Sequence, residues 1–429
     1  MPKDRWVLLR RVESYDPAAM DAVVKEGFEL LGRRAKGRVL IKPNVVFANK
    51  NYSRYAFTNP DLVGTVVDQV RGFPTVTDLT VGESGGFAIP TRLNFKESGY
   101  YAMGEQHQVP IIDFNEDKYV KVSLKKAKFH QTLLCPRLIH EADFKIWMPK
   151  LKYHICCEIT NALKLNIGSL LHKERMLYHD DRLNEKIVDI LEIGYPDLIV
   201  TDAVTIGHGF ESCAKPFHLG LIMISNDPIA SDVVAAQILG YKPEDVHHLR
   251  IASERGYGSI DPASVKILGD IGIAELAKRT SGIVSEFQDM QKLDTRINFY
   301  EGIGPNTNQI CYGGCMAAVK GSLGTIDARR PGSLKNAKQG AIVTGIYEGD
   351  VNAKGGVCLL IGDCTEVKGT ITAKRTKRVK GCPIGAVQLT GVLPFVFGMP
   401  SPFFDLRDVP LIVFNTIEKF VNKVRHGAF

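Results

Sequence analysis

No apolar run in the sequence reaches the roughly 18 residues that a membrane-spanning helix needs, so no membrane partner is expected. The opening Met1-Pro2-Lys3-Asp4-Arg5-Trp6 lacks the apolar stretch of a signal peptide, and the expectation is a cytoplasmic protein. Nine cysteines in 429 residues are too sparse for a disulfide scaffold. In a reducing compartment they are core residues, metal ligands or catalytic thiols. No GxGxxG, Walker or HExxH motif occurs, which leaves a standard dinucleotide site, a P-loop and a zincin site unsupported. There is no internal repeat and no low-complexity tract. A strong charge of one sign is also missing. The formal net charge of +7 excludes a dedicated nucleic-acid binder and suits an anionic substrate or an acidic redox partner.

What is present is an alternation of strand-like and helix-like patterns over the first 260 residues. Strands are expected at 5–12, 38–46, 75–81, 110–114, 143–148, 197–200 and 219–225, and helices at 20–31, 61–70, 183–192 and 229–239. This predicts a layered α/β domain with a largely parallel sheet at 1–260. Residues 261–305 read as a connector holding a strand and helical stretches. Residues 306–390 hold five of the nine cysteines and two strand–loop units, a second, smaller cysteine-bearing α/β domain. Residues 391–429 combine an apolar, Pro-rich segment with an amphipathic helix at 409–424. Its Leu393–Phe404 stretch is either an oligomer contact or buried against its own domain, and a homodimer is expected.

The sharpest chemical signal is Cys311-Tyr312-Gly313-Gly314-Cys315, then Cys364, then Cys382-Pro383 followed by Gly385-Ala386. The two glycines let backbone wrap closely around an ion or cluster. Cys364 follows an apolar strand, at the edge where open α/β sheets bind ligands. Cys382-Pro383 is similar to the last cysteine of bacterial ferredoxin runs. Four thiolates can hold a [4Fe–4S] cluster or a tetrahedral zinc. The ferredoxin C-x₂-C-x₂-C run is absent, and a second close cysteine pair of the zinc type is absent too. Cys358 reads as a buried small hydrophobe, and Cys135, Cys156, Cys157 and Cys213 as structural. Residues 366–380 carry six Lys or Arg against Glu366 alone, either a solvated strand pair or a positive collar beside a cluster.

A second, polar constellation lies in the first domain. Lys152 and His154 share one face of an extended chain. Lys164, Asn166 and Gly168 follow, then His172, Arg175 and His179, with Arg175 and His179 four apart. Lys42-Pro43-Asn44 and Gly82-Glu83-Ser84-Gly85-Gly86 each end a strand and would sit at the same sheet edge. The pattern suits an anion held by Lys42, Asn44, Ser84, Lys164, Asn166 and Arg175, with Lys152, His154, His179 and Glu83 as catalytic candidates. Asp227-Pro228 reads as a helix cap.

These residues, with Thr58-x-Pro60, Pro149-Lys150-Leu151-Lys152-x-His154, Asp202 and Asn226-Asp227-Pro228-x-Ala230-x-Asp232, resemble the family known as domain of unknown function 362 over about residues 38–260. The cysteine-bearing part is similar to members described as iron–sulfur centre proteins. That resemblance implies the fold and a cluster rather than a particular reaction. One departure is local: Leu165 separates Lys164 from Asn166, which puts the role of Asn166 in doubt. The repeated CxxCxxC module that some relatives carry is absent.

Three functions compete. The first is an oxygen-sensitive iron–sulfur enzyme acting on a small anionic substrate, with Cys311, Cys315, Cys364 and Cys382 as ligands. Four ligands favour redox chemistry, while an open iron would give a lyase- or desulfidase-type Lewis acid. A ferredoxin- or flavodoxin-like donor would then supply electrons, and the sequence holds nothing against an additional flavin. The second is a non-catalytic electron carrier or a cluster- or metal-handling protein. The third is a cluster-free hydrolase or transferase with its thiols in the core.

Overall fold

The computed structural model describes all residues except 1–3, 87–88, 176–178, 284, 308, 403–408 and 428–429. A ten-stranded sheet runs, edge to edge, through Lys266–Gly269, Trp6–Arg11, Lys215–Ser225, Leu198–His208, Phe144–Met148, Gly37–Pro43, Val76–Glu83 and Ile111–Asp113. The pairs from Leu198–His208 to Ile111–Asp113 are parallel, and the hairpin of Leu198–His208 with Lys215–Ser225 is antiparallel. Val7, Leu8 and Leu9 are all fully buried, because helices or the second domain cover both faces. The fold class is thus α/β with a large, largely parallel sheet and a second, smaller sheet.

Pro17–Leu31 and Pro60–Arg71 cover one face, where Val24, Leu62 and Val66 meet Leu8, Ile41 and Ile146. Pro228–Ile238 covers the other, with Asp227 as its cap accepting from the Ala230 N–H at 2.8 Å. Asn59 caps Pro60–Arg71 in the same way. Two strands are much longer than their apolar cores suggest: Leu198–His208 and Lys215–Ser225 extend as a hairpin past a register shift between Ala203 and Thr205. The polar ends of that hairpin carry no strand signal. Beyond Met148 the chain kinks at Pro149 and continues as the strand Lys150–His154 beside Leu198–His208, then turns back through Glu158–Thr160.

The 261–305 segment supplies a strand to each sheet. Lys266–Gly269 pairs with Trp6–Arg11, and Ile297–Glu301 forms an edge of the small sheet. That small sheet is parallel throughout, in the order Ile297–Glu301, Gly340–Tyr347, Val357–Val367, Arg375–Val379. The helices Cys315–Arg329 and Ala386–Phe397 pack on it and on each other. Ile342, Leu359, Ile361, Leu323 and Phe397 share one apolar core with Leu9, Trp147 and Val233 of the large sheet.

Within the Leu393–Phe404 stretch, the described residues divide between the core and the surface. Leu393 and Phe397 are fully buried within this chain, whereas Phe395 is 84% exposed. Residues 403 and 404 lie outside the described residues. The terminal helix Val409–His426 forms as expected, but it touches the body through polar groups: Glu418 to Arg92, and Asn422 to Glu116 at 3.0 Å. Val413, Phe414, Ile417 and Val424 are exposed. Among the described residues no helix is long and apolar enough to cross a membrane.

Phe397→Ala should cost about 3–5 kcal/mol in denaturant unfolding, as for other fully buried phenylalanines. Phe395→Ala should change stability by no more than about 0.5 kcal/mol. Equal effects would contradict the assigned facing of the Ala386–Phe397 helix.

Candidate functional site

The carboxyl ends of the parallel strands bring charged side chains out of water. Lys42 is fully buried and donates to Glu83 Oε2 at 2.9 Å and to the Leu165 carbonyl at 2.9 Å. Burial pushes the Glu83 carboxyl up and the Lys42 ammonium down, and their mutual attraction opposes both shifts. Gly168 makes this pair fit, because a Cβ there would lie 2.1 Å from Glu83 Oε1 and 2.7 Å from Lys42 Nζ. A second buried pair joins Lys150 to Asp202 at 2.9 Å, with Tyr15 Oη donating to the same carboxylate at 2.9 Å.

Several residues expected to bind substrate are committed to the protein itself. Arg175 directs its Nη groups to the carbonyls of Ser84, Gly85 and Leu170 and to Ser84 Oγ, so it clamps the Gly82–Gly86 loop. Ser84 Oγ also accepts from Asn115 at 2.9 Å. Asn44 Oδ1 accepts from the Val46 N–H. Asn166 Oδ1 accepts from Trp147 Nε1 at 2.9 Å. Glu83, expected to be catalytic, is the partner of Lys42.

The remaining candidates converge. Lys152 is 1% exposed and donates to the carbonyls of Ala56 at 2.7 Å and Glu211 at 3.1 Å. Burial, opposed by the Glu211 carboxylate, lowers its pKa to about 7. His154 Nδ1 accepts from the N–H groups of Cys156 and Cys157, at 3.0 and 3.2 Å, which places its proton on Nε2. Nε2 stands 3.6 Å from Glu211 Oε1. Burial and the cations Lys164 and Lys152 hold His154 neutral. His179 donates from Nδ1 to the Arg175 carbonyl at 2.9 Å, and burial lowers its pKa to about 4.

Glu211 is the residue that sequence reasoning missed. Its carboxyl is pushed up by burial and pulled down by Lys164 and Lys152, and its Oε2 is buried without a hydrogen-bond partner. Lys164 is half-buried, perturbs Lys152, His154, His179 and Glu211 alike, and has no hydrogen-bond partner among the described residues. An uncommitted ammonium beside an under-satisfied carboxyl and two neutral histidines can hold an anion and exchange protons with it.

The cysteines come from three segments and influence one another. Cys311 and Cys315 bracket the start of the Cys315–Arg329 helix, Cys364 lies on Val357–Val367, and Cys382 precedes the Ala386–Phe397 helix. Cys315 is raised to about 11 by burial, with Cys364 and Cys382 adding to the shift. The backbone of Cys315 and Gly314 lowers the Cys311 thiol and that of Ile384 lowers the Cys315 thiol, each against the larger upward push of burial. A Cβ on Gly314 would lie 2.7 Å from Cys311 Sγ, and one on Gly362 2.8 Å from Cys315 Sγ. Among the described residues no three His, Cys, Asp or Glu side chains stand close enough to hold a single metal ion.

The two regions touch. Asp181 acts on Cys311, Cys364 and Cys382, and Asp180 on Cys382. Both follow His179 directly in the chain. Lys320 lies five residues, about 7.5 Å of helix, beyond Cys315 and donates to the Ile155 carbonyl at 3.3 Å, next to His154.

This arrangement defines an α/β protein with a buried, charged centre at the carboxyl edge of its sheet and a cysteine-bearing lobe against it. Residues 39–237, somewhat under half of the chain, match the model of the domain of unknown function DUF362. No curated protein matches the chain in sequence. Similar solved structures include the lactate racemase apoprotein from Thermoanaerobacterium thermosaccharolyticum, at 10% identity and TM-score 0.38 over 81% of this chain and 72% of that one. Another is a Thermotoga maritima protein at 10% identity and TM-score 0.30, over 77% of this chain and 70% of that one. Likenesses this low carry no argument about the site.

Two outcomes are expected. Glu83→Ala leaves Lys42 buried without its counter-charge and should cost about 3–5 kcal/mol in denaturant unfolding, whereas Lys164→Ala, which breaks no side-chain hydrogen bond among the described residues, should cost far less. A lysine whose folded pKa is lowered to about 7 binds fewer protons folded than unfolded between that pH and the ordinary lysine value. Stability therefore rises with pH across that window, and Lys152→Met should flatten the rise in unfolding midpoints between about pH 7 and 10.

Proposed function

We propose that this chain is an iron–sulfur oxidoreductase that binds a small anionic substrate at Lys164. The observation that carries this reading is the convergence of Cys311, Cys315, Cys364 and Cys382. The Cys315–Arg329 helix begins at one of these cysteines, the Ala386–Phe397 helix follows another, and Gly314 and Gly362 leave space beside the sulfurs of Cys311 and Cys315. Four thiolates drawn from three separate segments suit a [4Fe–4S] cluster, which spreads its ligands around a cage.

Such a cluster supplies one-electron transfer when bound. The chain's own residues do the rest. Lys164 would hold the substrate anion. Glu211, with its carboxyl pushed up by burial, would accept or give a proton, and His154 presents Nε2–H towards it. Lys152, near pKa 7, exchanges its proton at neutral pH. Lys42, Glu83 and Arg175 hold the strand ends and the Gly82–Gly86 loop in place around this centre.

The closed character of the charged centre favours a second reading, a non-catalytic electron carrier or cluster-handling protein. Cavities of about 410 and 420 Å³ lie elsewhere, the first beside the Arg375–Val379 strand and the second at Asp117, Lys118, Arg137 and Arg425. Lys164→Ala separates the two readings. Loss of turnover with an unchanged cluster spectrum supports the enzyme, and unchanged function supports the carrier.

Protein purified without oxygen should absorb broadly in the visible, bleach with dithionite, and lose this absorption in Cys364→Ser. A colourless protein under those conditions would sink the reading. Asp181→Asn removes a negative charge that acts on three of the cysteines and should raise the reduction potential. An unchanged or lowered potential would place the cluster elsewhere.

A further inference from the structure

The edge of the small sheet carries a surface that the proposed chemistry does not use. Arg375–Val379 is the last strand in that sheet, paired on one side only. Lys374, Arg375, Lys377 and Lys380 are all exposed and have no acidic partner among the described residues. Of the basic residues in this stretch, Lys368 reaches a carboxylate, that of Glu348 at 3.0 Å. Charged residues on an edge strand discourage pairing with other sheets. Mixed signs would do that equally well, whereas four uncompensated cations in seven positions also build a positive field.

The strand borders a cavity of about 410 Å³. Lys377 and Lys380 line it on the strand side, and Val392, Phe395 and Val396 on the side of the Ala386–Phe397 helix. A basic rim around an apolar floor is the form of a protein-docking patch with a central anchor. The patch is also tied to the cysteines. Arg378 donates to the carbonyls of Gly362 at 2.9 Å and Thr365 at 2.7 Å, which flank Cys364. Cys382, exposed, lies two residues beyond Lys380.

We propose that this face docks an acidic one-electron carrier of the ferredoxin class, whose carboxylates meet Lys374, Arg375, Lys377 and Lys380 and whose anchor side chain enters the cavity beside Phe395. The inference rests on the iron–sulfur reading of the four cysteines. At each encounter one electron leaves the carrier, which is oxidised, and enters the cysteine-held centre, which is reduced. Charge complementarity of this kind steers association and makes it sensitive to salt.

The test measures binding of an acidic plant-type ferredoxin to the whole protein by calorimetry, at about 20 and about 200 mM salt, a range over which screening shortens markedly. Binding should weaken at least about tenfold at the higher salt, and the double variant Lys374→Glu/Lys377→Glu should weaken it comparably at low salt. Lys266→Glu, on the edge strand of the large sheet, should leave binding unchanged. Reduction of the double variant by dithionite should proceed as in the unaltered protein, while reduction by ferredoxin slows. Salt-independent binding, or equal losses in Lys266→Glu and the double variant, would overturn the proposal. So would salt-dependent binding of a single-stranded oligonucleotide without any binding of ferredoxin. Iron analysis of the same samples keeps the two readings apart. Protein without iron fails the cluster reading, whereas protein with iron that ignores the carrier fails only the docking surface.

Discussion

Dehydrated ammonium groups govern this structure. Lys42, Lys150, Lys152 and Lys320 are each no more than 2% exposed. Taking an ammonium out of water is costly unless opposite charge or several acceptors replace the lost hydration. Each lysine therefore dictates what surrounds it. Glu83, helped by the Leu165 carbonyl, neutralises Lys42 and Asp202 neutralises Lys150, while carbonyls of Ala56, Glu211, Ile155 and Gln288 solvate Lys152 and Lys320. Those partners lie 32 to 165 residues away in the chain, so each buried lysine is satisfied only once distant segments have assembled, and Lys320 ties the cysteine-bearing lobe to Ile155 of the large domain.

The same requirement separates supporting residues from reactive ones. A buried charge held by a counter-charge is a fixed post, as with Lys42 and Lys150. A charge or carboxyl left incomplete keeps chemical freedom. Lys164 and Glu211 are in that state, between two histidines held neutral by burial. Their neighbourhood ends at the cysteine lobe through His179, Asp180 and Asp181 on one side and Lys320 on the other. The charged centre and the cysteines thus share a boundary built from both lobes.

Much of the scaffold was legible in the sequence. Strands buried on both faces appear as short apolar runs, and Asn59-Pro60 and Asp227-Pro228 announce helix starts through cap chemistry. The strand-end positions of Lys42, Glu83, Lys152 and His154 follow from those runs. The committed state of Arg175 was not legible, because its partners are backbone carbonyls about 90 residues away that no side-chain pattern encodes. Glu211 was missed for a related reason: its loop, Gly209-Phe210-Glu211-Ser212-Cys213, has no motif, and its meaning comes from Lys164 and His154 arriving beside it. The terminal helix shows the converse limit. Its amphipathic spacing was clear, but the periodicity could not say which face the body would take, and polar contacts to Arg92 and Glu116 decided it.

The central claim is that the four converging cysteines hold a cluster. Counting iron and acid-labile sulfide per chain in protein purified without oxygen tests it most directly. The account predicts about four of each. One zinc per chain, or neither iron nor sulfide, would contradict it.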